Sequence, residues 1–167
     1  MAADRVDGEN NVTRLTHLDD AGAAHMVDVS GKPVTAREAR AEGMVLCSPE
    51  VVALLRGKGM PKGDALAVAR IAGIQAAKRT PELVPLAHPV AVHAAAVDLT
   101  VQDEGVQIAA TVRTADRTGV EMEALTCVVV AGLALIDMIK GVDRRAELTG
   151  VRMTAKSGGR SGQWHRD

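Results

Sequence analysis

The chain has 167 residues and a mass of 17.4 kDa, one domain by length, and 47% of it is hydrophobic, which excludes wholesale disorder. Twenty Lys+Arg against twenty-one Asp+Glu leave a formal charge of −1, so no global basic field exists to gather nucleic acid and any anion site must be a local cluster. Phe and Tyr are absent and Trp164 is the sole aromatic residue, which argues against the stacking platforms of single-strand binders.

Cys47 and Cys127 stand far apart with no C-x-x-C between them, as expected of two free thiols in a reducing compartment. Residues 1–14 are polar, read as a flexible tail without a secretory signal. The longest apolar run, Ala124 to Ile136, falls short of the roughly 20 residues a bilayer span needs. A soluble cytoplasmic protein with no membrane or nucleic-acid partner is expected. Twenty-eight Ala and sixteen Gly bury little area each, so a homo-oligomer that covers more surface is expected as well.

In chain order, the alternation of Val27 and Val29 against Met26 and Asp28 predicts a short strand at His25–Val29. Thr35 to Cys47 has an ambiguous period, leaning to strand near its end. Ser48-Pro49-Glu50 opens a helix with a capping oxygen, a proline in its first turn and an acid toward the positive end of the dipole. Gly57 and Gly59 stop it. Asp64 caps a second helix reaching about Arg79 before Pro81, and Leu86-Ala87-His88 lies extended or turned between Pro85 and Pro89. Val90–Val101 and Val106–Val112 form a hairpin around Asp103-Glu104-Gly105. Val120–Lys140 is a long, largely buried helix, and Val151, Met153 and Ala155 mark a last strand before a Gly/Ser-rich end. The class is α+β, a mostly antiparallel sheet with helices packed on one face.

No standard catalytic signature fits. Lys156-Ser157-Gly158-Gly159-Arg160-Ser161-Gly162 places its Lys before the glycines and has no helix after them, so it is no Walker A loop. His88 and His93 lack partners at metal-ligand spacing, and no metal site is expected. Lysines are rarer than arginines, six against fourteen, and only a lysine can give up its proton when crowded or desolvated. Lys62 sits in a tight turn beside a helix start. Lys156 precedes backbone amides free of bulky side chains, which can wrap an oxyanion. Asp137 and Lys140 share a helix face, where an ordinary surface ion pair is the bland alternative. Glu121 and Glu123 open the same helix, a position that acids also occupy merely to favour the dipole. Asp137 lies about 160° round the helix from Glu121, so both ends serve one ligand only if a second subunit or another segment completes the site.

These residues fall in blocks. Leu15-Thr16-His17-Leu18, His25 to Ser30, Lys62-Gly63-Asp64, Ala72 to Thr80, Pro85-Leu86-Ala87-His88-Pro89, Thr118 to Thr126, Asp137-Met138-Ile139-Lys140 and Lys156 to Gly162 resemble, in order, the MoaC family. The resemblance spans about Leu15 to Gly162, taken as a single catalytic domain with residues 163–167 as a C-terminal tail.

That resemblance implies a ferredoxin-like α+β subunit in a hexamer built as a trimer of dimers, with sites between subunits. It implies a lyase that converts (8S)-3′,8-cyclo-7,8-dihydroguanosine 5′-triphosphate to cyclic pyranopterin monophosphate with release of pyrophosphate. No essential cofactor is implied, Mg²⁺ at most accompanying the triphosphate. Asp137, Lys62 and Lys140 match the catalytic positions. Leu86, Ala87, His88, Glu121, Met122, Glu123 and Lys156 match the substrate-binding ones. Ala87 stands where many relatives carry Cys, so a thiol there has no general role.

The chemistry agrees with a polyanionic substrate, since departing pyrophosphate needs charge stabilisation and an attacking hydroxyl needs a base. The roles expected are Lys140 as acid or base oriented by Asp137, with Lys62 as its partner. Lys156 and His88 would meet phosphate; Glu123 and the Met122 backbone would meet the guanine-derived ring. Lysines crowded on one another would hold depressed pKa values. A non-catalytic module for a phosphorylated nucleotide and a structural assembly protein are the alternatives.

Overall fold

The computed structural model describes residues 18–19, 21–57, 59–160 and 162–167. The flexible tail expected at residues 1–14, and Leu15-Thr16-His17, lie outside them.

The elements in order are β1 (Thr35–Leu46), α1 (Pro49–Arg56), α2 (Ala65–Ala77), α3 (Thr80–Leu83), β2 (Ala94–Val101), β3 (Gly105–Asp116), α4 (Glu121–Ile139), β4 (Glu147–Ser157) and β5 (Trp164–His165). The strands form one sheet in the order β2-β3-β1-β4-β5, every neighbouring pair antiparallel. With helices packed against that sheet, the α+β class holds.

β1 is central, bonded to β3 on one side and β4 on the other, and all twelve residues are strand. Its periodicity is hard to read because the core-facing positions are small: Ala39, Ala41 and Gly43, with only Val45 bulky. The opposite face carries Glu38, Arg40 and Glu42. Cross-strand pairing with Arg113 at 2.5 Å and Arg152 at 2.6 Å neutralises the two acids. Such exposed pairs contribute a few tenths of a kcal/mol each and mainly keep that face wet.

The helices start where their caps dictate. Ser48 Oγ accepts from the Val51 amide and Asp64 Oδ1 from the Ala67 amide. α2 ends at Ala77, two residues before the predicted Arg79, and α3 is a separate single turn. Pro81 has no N–H to continue the ladder. Thr80 Oγ1 donates instead to the carbonyls of Ala76 and Ala77.

Two other expectations differ. Among the described residues His25–Val29 joins no strand; Asp28 instead makes an Asx turn by accepting from the Ser30 amide, and the Val27 carbonyl meets His88 Nε2. Alternation supplies a strand's faces but not the partner edge it needs. β2 begins at Ala94 rather than Val90.

α4 packs on β1, β3 and β4 and turns one face into the core: Ala124, Cys127, Val128, Ala131, Leu135 and Ile139 are fully buried. By length and composition it could cross a membrane, but here that apolar face is spent against the sheet. α2 packs on α4 so closely that a Cβ on Gly73 would meet the Cys127 carbonyl oxygen at 2.8 Å. Burial pushes the Cys127 thiol up to about 12, so it packs as a small apolar residue.

Candidate functional site

The candidate residues gather at the two ends of α4. Sixteen residues separate Glu121 from Asp137, about 24 Å at 1.5 Å per residue.

At the C-terminal end, Asp137 Oδ1 accepts from Lys140 Nζ at 2.6 Å, as their shared helix face predicts. Lys62 reaches the same residue from the turn before α2, donating to the Asp137 carbonyl at 2.8 Å with Oδ2 3.9 Å away. That turn is closed by the Gly63 amide on the Met60 carbonyl, and the buried Met60 anchors it to the core. The hydrogen bond from Lys140 and the charges of Lys140 and Lys62 hold the Asp137 carboxyl below its usual range. All three side chains are about half exposed, so the cluster is open to a ligand. Two ammonium groups share one carboxylate, and the surplus cation is available to an anion.

At the N-terminal end, Lys156 on β4 donates to Glu121 Oε1 at 2.9 Å. The Glu121 carboxylate folds back over Gly119 to do so. Met122 is exposed at 41%, whereas Glu123 is buried at 2%. Desolvation, with a smaller contribution from the Glu121 charge, raises the Glu123 carboxyl to about 7 against the pull of its own backbone N–H. A carboxyl at that value both donates and accepts at neutral pH.

Beside Lys156 lies a cleft of about 600 Å³ lined by Gly31, Lys32, Pro33, Thr35, Arg37, Gly159 and Arg160. Its three charged residues are all cations. Arg37 is two residues before Ala39, the register partner of Lys156, so Arg37 and Lys156 share a face of the sheet. Backbone carbonyls of Asp116 and Arg117 accept from the Arg37 guanidinium and hold it in place. Gly159, at φ +67, brings the glycine-rich loop against it; a Cβ there would sit 2.1 Å from Arg37 Nη1. Thr35 Oγ1 is buried without a hydrogen-bond partner among the described residues.

Leu86, Ala87 and His88 leave α3 through a turn in which the Ala87 amide bonds the Val84 carbonyl. His88 Nε2 lies 2.6 Å from the Val27 carbonyl, which fixes that nitrogen as the donor. Val27 lies four residues before Gly31, and Arg117 donates to the intervening Ser30 carbonyl, so this loop joins the wall of the cleft.

Thus one chain brings Lys62, Lys140 and Asp137 together, and separately Glu121, Glu123 and Lys156. It does not bring Lys156 to the other two lysines, as the angle round α4 implied. Sequence reasoning missed Lys32, Arg37 and Arg160. Arg160 stood inside the glycine-rich block, but arginine was discounted as general charge. The placement of Arg37 follows only from strand register. Among the described residues no group of three or more His, Cys, Asp or Glu could hold a metal ion.

Known proteins share this arrangement's sequence. Residues 26–159 match the model of the MoaC family. The chain is 64% identical over 159 residues to a cyclic pyranopterin monophosphate synthase of Streptomyces coelicolor, covering 95% of this chain and 94% of that protein. It is 66% identical over 153 residues to the synonymous protein of Streptomyces avermitilis, covering 92% and 90%. Cyclic pyranopterin monophosphate synthase 2 of Mycobacterium tuberculosis is 55% identical over 152 residues, covering 91% of each. This chain belongs to the MoaC family.

Proposed function

We propose that the chain is a lyase of molybdenum-cofactor biosynthesis, converting 3′,8-cyclo-7,8-dihydroguanosine 5′-triphosphate to cyclic pyranopterin monophosphate and pyrophosphate. The observation that carries this reading is the convergence of Lys62 and Lys140 on Asp137. One carboxylate orients two amines, and an amine so placed can take a proton from an attacking hydroxyl or protonate a leaving oxygen. The all-cation cleft beside Lys156 suits the triphosphate, with glycine-loop amides and Arg37 as donors. Glu123 and the Met122 backbone suit the guanine-derived ring, while His88 borders the cation cleft assigned to phosphate. Mg²⁺ can travel with the triphosphate; no residue is assigned to hold it.

The two half-sites lie too far apart to grip one nucleotide within a single chain. A homo-oligomer, a hexamer built as a trimer of dimers, would set the Asp137 end of one subunit against the Lys156 end of another. The exposed Val68, Ile71 and Leu133 on α2 and α4 supply apolar surface for such packing. A cytoplasmic location suits the free thiols.

The test is chemical. Purified protein is mixed with the cyclised nucleotide, and pyrophosphate and a fluorescent pterin after oxidation are measured. Pyrophosphate with the pterin supports the reading; recovery of intact triphosphate overturns it in favour of a binding module.

A further inference from the structure

We infer that Trp164 forms an aromatic wall of the substrate pocket, stacking on the guanine-derived ring of the nucleotide; this deepens the reading above and rests on it. In a chain without Phe or Tyr, the one aromatic side chain sits on the two-residue strand β5. Its register partner is Lys156. Directly opposed residues of an antiparallel pair point to the same face, with Cβ atoms about 5 Å apart. Lys156 is in turn opposite Ala39, and Ala39 opposite Val112, both fully buried. A single cross-strand row, Val112–Ala39–Lys156–Trp164, therefore runs along the helix-covered face and ends on the indole. Lys156 bonds Glu121 in the first turn of α4, so the row that ends on Trp164 runs past the end of the helix that carries Met122 and Glu123.

The indole is held for that task rather than swinging free. The Arg166 guanidinium lies 5.6 Å from its ring centroid. Arg166 is itself fixed: its Nε donates to the Met153 carbonyl and its amide to the Thr154 carbonyl. Trp164 is nonetheless 39% exposed, a large apolar surface left uncovered beside an ion pair. The planar pyrimidinone part of the guanine-derived ring, stacked on the indole, would cover that surface, whereas phosphate groups would not use it.

Trp164 is its own reporter, because no other tryptophan contributes to the emission. Wild-type protein is titrated with the cyclised nucleotide and, separately, with pyrophosphate, which has no ring. Expected are quenching by the nucleotide alone, a roughly tenfold or greater rise in KM for Trp164→Ala with kcat within a few-fold, and recovery of KM in Trp164→Phe. Wild-type protein that releases pyrophosphate while its emission ignores the nucleotide overturns this inference alone. So does equal quenching by pyrophosphate, or an emission change that follows protein concentration but not ligand. Wild-type protein that releases no pyrophosphate overturns the proposed function, and this assignment with it. The wild-type titration decides the matter even where Trp164→Ala fails to fold.

Discussion

Lys62 Nζ donates to the carbonyl oxygen of Asp137 at 2.8 Å, clamping the turn before α2 onto the last turn of α4. The same bond places an ammonium group near the carboxylate that Lys140 already holds. A surface ion pair three residues apart on a helix contributes only a few tenths of a kcal/mol, so a second lysine brought from 75 residues away points to chemistry rather than stability.

Lys140→Ala should therefore lower kcat by about a hundredfold or more, the range for a lost general acid or base. Lys140→Arg should not restore it, since a guanidinium stays protonated. Steady-state pyrophosphate release compares the two, and full turnover by the Arg variant would show that no titrating amine is needed. Asp137→Asn should lower kcat tenfold or more with little change in melting temperature; a change in stability alone would favour an assembly role.

Acid should neutralise the Asp137 carboxylate only late. The lysines hold the Asp137 carboxyl below its usual value, so the charged form is favoured in the folded chain and lost only as pH falls through that lowered value. The rate should hence show no loss attributable to Asp137 between pH 7 and 5. A pH–rate profile of wild type against Asp137→Asn reads this.

Glu123 has the opposite sign. Its folded value of about 7 exceeds the ordinary 4.5. The folded chain retains the proton while the unfolded chain loses it, so stability is greatest below pH 4.5 and declines as pH rises to about 7. From this group alone the decline is roughly 3 kcal/mol. Glu123→Gln should be more stable than wild type at pH 8 and have a flatter dependence. Urea unfolding at pH 5 and pH 8 measures both slopes, and identical slopes would mean the buried carboxyl is not felt.

Gly159→Ala should raise KM severalfold while leaving kcat and the fold nearly unchanged. At φ +67 a side chain is strained, and its Cβ would displace the Arg37 guanidinium. If KM for the triphosphate stays at the wild-type value, the cleft is not where phosphate binds.

Two impaired variants should complement. Asp137→Asn and Lys156→Ala damage opposite ends of α4, so a mixed oligomer made by co-expression would contain some sites with neither lesion. Recovery of part of the wild-type turnover is expected, and none would return if each chain formed its own site.

Local patterns made much of the chain readable. Caps at Ser48 and Asp64, the turn at Asp103-Glu104-Gly105 and the apolar run of α4 are determined by neighbours in sequence, and they appear where the residues imply. Asp137 and Lys140 were legible for the same reason, being one helical turn apart. β1 was not, because its inward positions are so small that only their burial under α4 reveals them. His25–Val29 was misread because pairing depends on an available sheet edge. Arg37 stayed hidden because its nearness to Lys156 depends on the register of two strands more than a hundred residues apart.

The amino-acid order alone determined the α+β class, the caps and which groups could carry charge or protons, since these depend on side-chain chemistry and spacing of a few residues. Only the tertiary structure decided that Lys62 meets Asp137, that Lys156 stands at the far end of α4, and that Trp164 lies opposite Lys156. Such contacts are set by how strands register and helices close-pack, which is the outcome of burying the whole core at once.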